Sequence, residues 1–353
     1  MKSVRKSCVF AAFSVFRLFP PARLSVNLNM RYTTLFLLLC LCVLPLSQTG
    51  AWGFWAHRQI NRVAVFTLPD EMFPFFRHHV EYLTKHATDP DSRRSSDPEE
   101  APRHYIDLDY YGPYPFDSLP RSWQEAVARY TEDTLKAYGI VPWHIQRMYY
   151  RLVEAYKAKD KERILKLCAD LGHYVADAHV PLHATLNYNG QLTNQHGIHS
   201  LLESRLPELF HAQYDFVVGP APLFANPLKR IWEVVLQSAA AVDTVLSAEW
   251  KVRASLPEAD WQVYEERNGR RTKMYSEPYA AAYHAQLNGL VERRMRQSIL
   301  AVGSFWYSAW VDAGQPELSG LINTQLTPAD SVQLEEETRK YRSGMLIGRP
   351  EAD

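Results

Sequence analysis

Beyond residue 52, apolar residues recur at three- and four-residue spacing through most of the chain, the period that lines one face of a helix. That pattern predicts helices over 57–68, 121–137, 143–157, 161–179, 196–206, 227–246 and about 277–311. No run of alternating β-branched residues competes with them. The breaks carry helix-ending chemistry: Tyr138-Gly139 ahead of Pro142, Lys159-Asp160, and Pro207. The expectation is an all-α fold, a single multi-helix domain over 52–312, followed by a polar tail over 313–353.

Two stretches depart from the pattern. Residues 35–46 read LFLLLCLCVLPL, preceded by Arg31 and followed by polar residues and the small pair Gly50-Ala51. A basic start, an apolar run of about 7–15 residues and a small-residue end describe a secretory signal, whereas a membrane span needs about 20. We therefore expect a leader over 1–51, with Met30 as an alternative start, and export to a periplasm or outside the cell. No span is expected in the mature chain. The second stretch, residues 88–120, holds Pro90, Pro98, Pro102, Pro113, Pro115 and Pro120. Loops of that length inside a domain are either functional or disordered, and HYIDLDYYGPYPF is too aromatic for disorder.

Charge changes the picture once the leader is set aside. The chain has 39 basic and 39 acidic residues, but Lys2, Arg5, Lys6, Arg17, Arg23 and Arg31 all precede residue 52. The remainder has 33 basic against 39 acidic residues, a balance of −6 that disfavours general duplex binding. Three of the four cysteines, Cys8, Cys40 and Cys42, lie in the leader, so Cys168 has no internal partner and the exported domain must be held by its core or by metal. All thirteen histidines follow residue 52.

Five chemistry-bearing residues fall within 31 positions. His173 and Asp177 are four apart on one predicted helix, His183 follows Pro181 in the next loop, and His199 and Glu203 are four apart on the next helix. A helical i,i+4 pair presents two ligands to one ion, and imidazole and carboxylate are zinc donors. An isolated pair is more often a surface hydrogen bond; five such groups on apolar helices would cost far too much to bury without a cation.

These residues resemble the zinc-dependent phosphodiesterases that include bacterial phospholipase C and the fungal single-strand-specific nucleases, and the resemblance runs in order over most of 52–310. It implies an all-helical secreted hydrolase with three zinc ions. Cleavage after Ala51 would make Trp52 the terminus, whose amine and carbonyl bind zinc in the family, and Trp52-Gly53 with His57 looks like the family's opening motif. His104-Tyr105-Ile106-Asp107 is similar to its His-aromatic-x-Asp motif, which implies His104 as ligand and Asp107 as an outer partner of the site. Asp89 and Asp91 compete for an upstream metal-binding and general-base aspartate; Asp91 is favoured because Arg94 then falls where the nucleases carry a phosphate-facing base.

Carried over, His104, His173 and Asp91 hold the first ion, His183, His199 and Glu203 the second, Trp52 and His57 the third, with Asp177 shared by first and third. His179 and His196 are left without ligand roles. The short interval from His183 to His199 and the Glu at 203 resemble the phospholipase branch more than the nucleases. The expected substrate is a phospholipid or other phosphodiester, with single-stranded nucleic acid as the alternative and a non-catalytic, zinc-stapled lipid-binding protein as the competing class. Phe54, Trp55, Tyr105 and Tyr110 are aromatic candidates for a head-group wall; Asn187, Asn189 and Asn194 are candidates for the mouth.

Overall fold

The structure is a computed structural model and describes residues 53–267 and 270–322. The leader over 1–51, Trp52, and 323–353 of the tail lie outside the described residues.

The chain opens with α1 (Phe54–Ala64), tightening into a 3-10 turn at Val65–Thr67. Ile60, Val63 and Ala64 bury one face of it, and His57 and Asn61 are buried with them. Two short helices, α2 (Phe73–His78) and α3 (Val80–Lys85), follow, then the five-residue α4 (Asp89–Arg93) inside the proline-rich stretch. That stretch is ordered throughout, with 3-10 turns at Ala101–Arg103 and Leu108–Tyr111.

Helix α5 (Trp123–Tyr130) starts at Ser122, whose hydroxyl accepts from the Glu125 amide and donates to its carboxylate, a reciprocal cap. The helix expected over 121–137 is two: Thr131 takes φ +68°, and α6 (Glu132–Ala137) begins from its side-chain cap. Next come α7 (Val141–Lys157) and α8 (Lys161–Ala178), the latter capped by Asp160. α9 starts at Ile198–Ser200, passes a π-helical turn at Leu201–Arg205 and ends at Leu206–Phe210. The helix expected over 227–246 is α10 (Pro227–Ala240) and α11 (Val242–Ser255).

An antiparallel hairpin, β1 (Gln262–Arg267) with β2 (Arg270–Tyr275), appears where no strand was expected; Tyr264 pairs with Lys273 and Glu265 with Thr272. The last expected helix is also divided, at Asn288-Gly289, into α12 (Glu277–Gln286) and α13 (Leu290–Asp312).

The described residues are thus mostly helical, with that one small sheet. The core sits where α7, α8, α1 and α13 meet. There Phe76 stacks on Trp306, and the Trp306 indole donates to the Cys168 carbonyl. Leu318 is buried and Trp310 donates to the Pro316 carbonyl, so the chain stays docked for some residues past α13. The run Pro227–Ser255 is long and apolar enough to cross a membrane by length and composition. It holds seven charged residues, and buries Ile231, Trp232, Val234 and Val235 on one side, the habit of a core-facing helix.

Candidate metal centre

Helix α8 is the platform. His173 and Asp177 lie on one face, both with no exposed surface. Gly172 lets α1 approach them: a Cβ there would stand 2.0 Å from Asn61 Oδ1, and the Asn61 amide donates to the Ala169 carbonyl at 3.1 Å. His57 is one turn before Asn61, so that close approach lays its ring on His173, with centroids 3.9 Å apart and planes 20° from parallel. Pro181 opens a 3-10 turn that carries His183, and Gly197, at φ +90°, turns the chain into α9 with His199 and Glu203.

Three groups of ligand atoms result among the described residues: His57, His173 and Asp177; Asp91, His104 and His173; and His183, His199 and Glu203. Within the first, His57 Nε2 is 3.4 Å and His173 Nε2 3.2 Å from the Asp177 carboxylate. In the second, His104 Nδ1 stands 3.1 Å from His173 Nε2, and Asp91 Oδ1 is 4.0 Å and 3.8 Å from those two nitrogens. Asp177 also reaches His104 Nδ1 at 2.8 Å, so it touches both groups. In the third, Glu203 lies 3.2 Å from His183 Nε2 and 3.1 Å from His199 Nε2. Ligands around a tetrahedral zinc with bonds of about 2.0–2.1 Å stand about 3.3 Å apart, and most of these edges are close to that.

Backbone carbonyls set the rings. His173 Nδ1 donates to Ala87 O at 2.8 Å, His183 Nδ1 to His104 O at 2.6 Å, and His199 Nδ1 to Tyr188 O at 2.9 Å. A carbonyl only accepts, so each Nδ1 carries the proton and each Nε2 is left bare toward its group. Several of these inward atoms are buried without a hydrogen-bond partner: both nitrogens of His57, both oxygens of Asp91, Asp177 Oδ1 and His183 Nε2. Each such orphan costs about 1–3 kcal/mol. Bare nitrogens and carboxylate oxygens converging on common points fit divalent cations, which would satisfy them together.

Without a cation, protons take part of that role. Burial acts to lower His173 and His183, but Asp177 with Asp91, and Glu203 with Asp177, push both up to about 9. Burial acts upward on the carboxyls, yet the surrounding imidazoles hold Asp177 well below its usual range and Glu203 at about 2.

The structure separates Asp91 from Asp89. Asp91 joins the second group, while Asp89 turns to His86 at 2.7 Å. Arg94, one turn beyond Asp91, is exposed and acts electrostatically on the Tyr105 phenol, as does Tyr188. Its neighbour Arg93, which sequence reasoning passed over, turns inward to Glu100, Asp170 and Tyr174.

Asp107 lies beside a ligand of the third group. Its carboxyl lies near Asp109 and His183, with burial and Asp109 pushing it up to about 7, and His104 Nε2 faces Glu100. Trp55 packs on His211 and Tyr110 stacks on Tyr138, while Tyr105 feels the charge of Arg94. Asn187 and Asn189 bond within their own loop, to Thr193, Leu192 and Gly197. His179 donates to Val175 O, a packing role, and His196 is exposed, its carbonyl accepting from Tyr275. Comparison with protein-family models and with curated proteins finds no match for the chain.

Proposed function

We propose that this chain is a zinc-dependent phosphodiester hydrolase acting on phospholipid, of the phospholipase C kind. The observation that carries the reading is three ligand groups with bare, buried donor atoms, two of them joined through His173 and Asp177 and the third, His183, His199 and Glu203, offering three protein donors. Structural zinc sites are closed four-ligand sets rich in cysteine, whereas three-donor sites leave a position for water or substrate. The one cysteine among the described residues is buried against Tyr156, away from these groups.

His104, His173 and Asp91 would hold one ion and His183, His199 and Glu203 another. His57 would hold a third, with the amine and carbonyl of Trp52 once the leader is gone, and Asp177 is shared. Divalent ions there supply a water acidified toward neutrality and positive charge for the phosphate and leaving oxygens. Asp91, with both oxygens free of hydrogen bonds, would orient a water there and accept its proton. Arg94, at the exposed end of α4, would meet the phosphate charge, and it acts electrostatically on Tyr105. A lipid is favoured over nucleic acid because the loop between His183 and His199 spends Asn187 and Asn189 on itself and leaves Tyr188 (53%) and Leu192 (69%) exposed. The net charge of −6 after the leader points the same way.

The test uses protein exported with its own leader, so that Trp52 is the terminus, supplied with zinc and given phosphatidylcholine vesicles and single-stranded DNA in parallel. Diacylglycerol should be released by the wild type and fall to background in His183→Ala. DNA cleavage lost in that variant would reassign the protein to a single-strand nuclease. Bound zinc with neither activity would leave a zinc-stapled lipid-binding protein.

A further inference from the structure

Four of the five histidines in the metal groups are fixed by what the structure already shows, or stand bare on both nitrogens. His104 differs. It turns Nδ1, not Nε2, into the centre, 2.8 Å from Asp177 and 3.1 Å from His173 Nε2. With Nδ1 committed to a cation, the ring proton must sit on Nε2, which is buried and needs an acceptor. The group facing Nε2 is the carboxylate of Glu100, with Oε1 at 3.5 Å.

Glu100 is itself fully buried and built into place. Its amide donates to Asp97 O, and it precedes the 3-10 turn Ala101–Arg103 that ends at His104. Arg103 reaches Oε2 at 2.6 Å and Arg93 at 3.3 Å, while the Tyr174 hydroxyl donates to Oε1. Arg93 and Lys166 also hold Asp170, and Arg103 also holds Asp97, so three cations face three carboxylates. Tyr174 follows His173 directly on α8, which ties this network to the platform of the centre.

We infer that Glu100 is the positioning residue for His104, accepting the Nε2 proton so that Nδ1 is presented bare to the cation shared with Asp91 and His173. The arrangement is a carboxylate–imidazole–metal relay, in which the outer carboxylate fixes tautomer and ring angle and makes the ligand more basic. Arg93 and Arg103 keep the carboxylate ionised and fixed. This role rests on the metal reading of the site, and the sequence alone did not single out Glu100.

The test is metal binding, not turnover. Metal-free wild type, Glu100→Gln and Tyr174→Phe are titrated with zinc alone against a chromogenic chelator. They are then titrated with cobalt alone, reading the visible absorption of the bound ion. Glu100→Gln should weaken one ion by about 10–100-fold and alter its cobalt spectrum. Tyr174→Phe, which trims the same network but leaves the Glu100–His104 contact, should bind as wild type. Melting without metal separates folding from ligation; if Glu100→Gln does not fold, Glu100→Asp, which keeps the charge between the arginines but draws it back from the ring, carries the same expectation. Wild-type affinity and spectrum in the Glu100 variants, or equal losses in Tyr174→Phe, would overturn the role. Absence of zinc binding by the wild type would instead overturn the proposed function, and this inference with it.

Discussion

Two imidazoles in the centre hold protons that a cation has to displace. His173 and His183 are both pushed up to about 9, against burial, by the carboxylates they face. In metal-free protein their contribution to stability is fully present below the ordinary histidine value of about 6.5 and is lost as pH rises through about 9. Asp177, held well below its range, and Glu203, held at about 2, contribute above about pH 4 and lose that contribution as pH falls through their lowered values. The metal-free protein should therefore melt highest between about pH 4 and 6.5. Zinc reverses the upper limb, because it takes the rings unprotonated and binds more tightly as those protons leave. Calorimetry with and without zinc should show the gap in melting temperature widening from pH 6 to 9. A gap that narrows would mean these rings are not the ligands. At this scale the helical pairs His173/Asp177 and His199/Glu203 were legible, since spacing on a helix fixes direction. Asp91 over Asp89 was favoured from the motif and is the one that joins the ligands, whereas Glu100 went unremarked, because loop spacing sets no geometry and only the folded turn shows which carboxylate meets which ring.

Between elements, one close approach decides whether His57 reaches the centre. A Cβ at Gly172 would stand 2.0 Å from Asn61 Oδ1, and Asn61 is the side chain that pins α1 to α8 and to the Leu83 carbonyl. Gly172→Ala should cost about 1–3 kcal/mol in a denaturant melt, as overpacking of a tight core does. Because α1 must shift, zinc at the His57 position should weaken as well. Gly320→Ala, whose Cβ would meet nothing within 4 Å, is the matched control and should stay within about 0.5 kcal/mol. If Gly172→Ala matches its control, the α1–α8 approach does not position His57. Helix existence was read well from periodicity and helix integrity less well. Thr131 at φ +68° and Gly289 at φ +72° divide segments whose apolar period runs straight through the break. The hairpin escaped notice because its strands carry charge rather than alternating apolar residues; Glu265 pairs with Arg205, two residues past Glu203, and the buried Tyr275 packs on Tyr279 and donates to the His196 carbonyl, so an ion pair and one aromatic hold it to the rest.

For the molecule as a whole, a centre filled by cations would take the place of a covalent staple. The described chain has a single free cysteine and buries bare metal-binding atoms where α1, α8, α9 and the proline-rich segment converge. Those four pieces come from positions as far apart as His57 and Glu203, so a bound ion would close long loops that no disulfide closes among the described residues. An ion that binds only the folded chain stabilises it by about 4 kcal/mol when free zinc is about 1,000 times its dissociation constant. For a domain of this size that corresponds to a melting temperature higher by about 8–16 °C for one ion, and more for the set. Chelation with EDTA should therefore lower the melting temperature by at least that much, zinc should restore it, and dithiothreitol should leave it unchanged. The size of the drop also discriminates among readings. A hydrolase with open three-donor sites should lose activity at zinc levels that still protect the fold, as its weakest ion leaves first. A protein that uses zinc only as a staple should lose its function and its melting temperature together, at one zinc concentration.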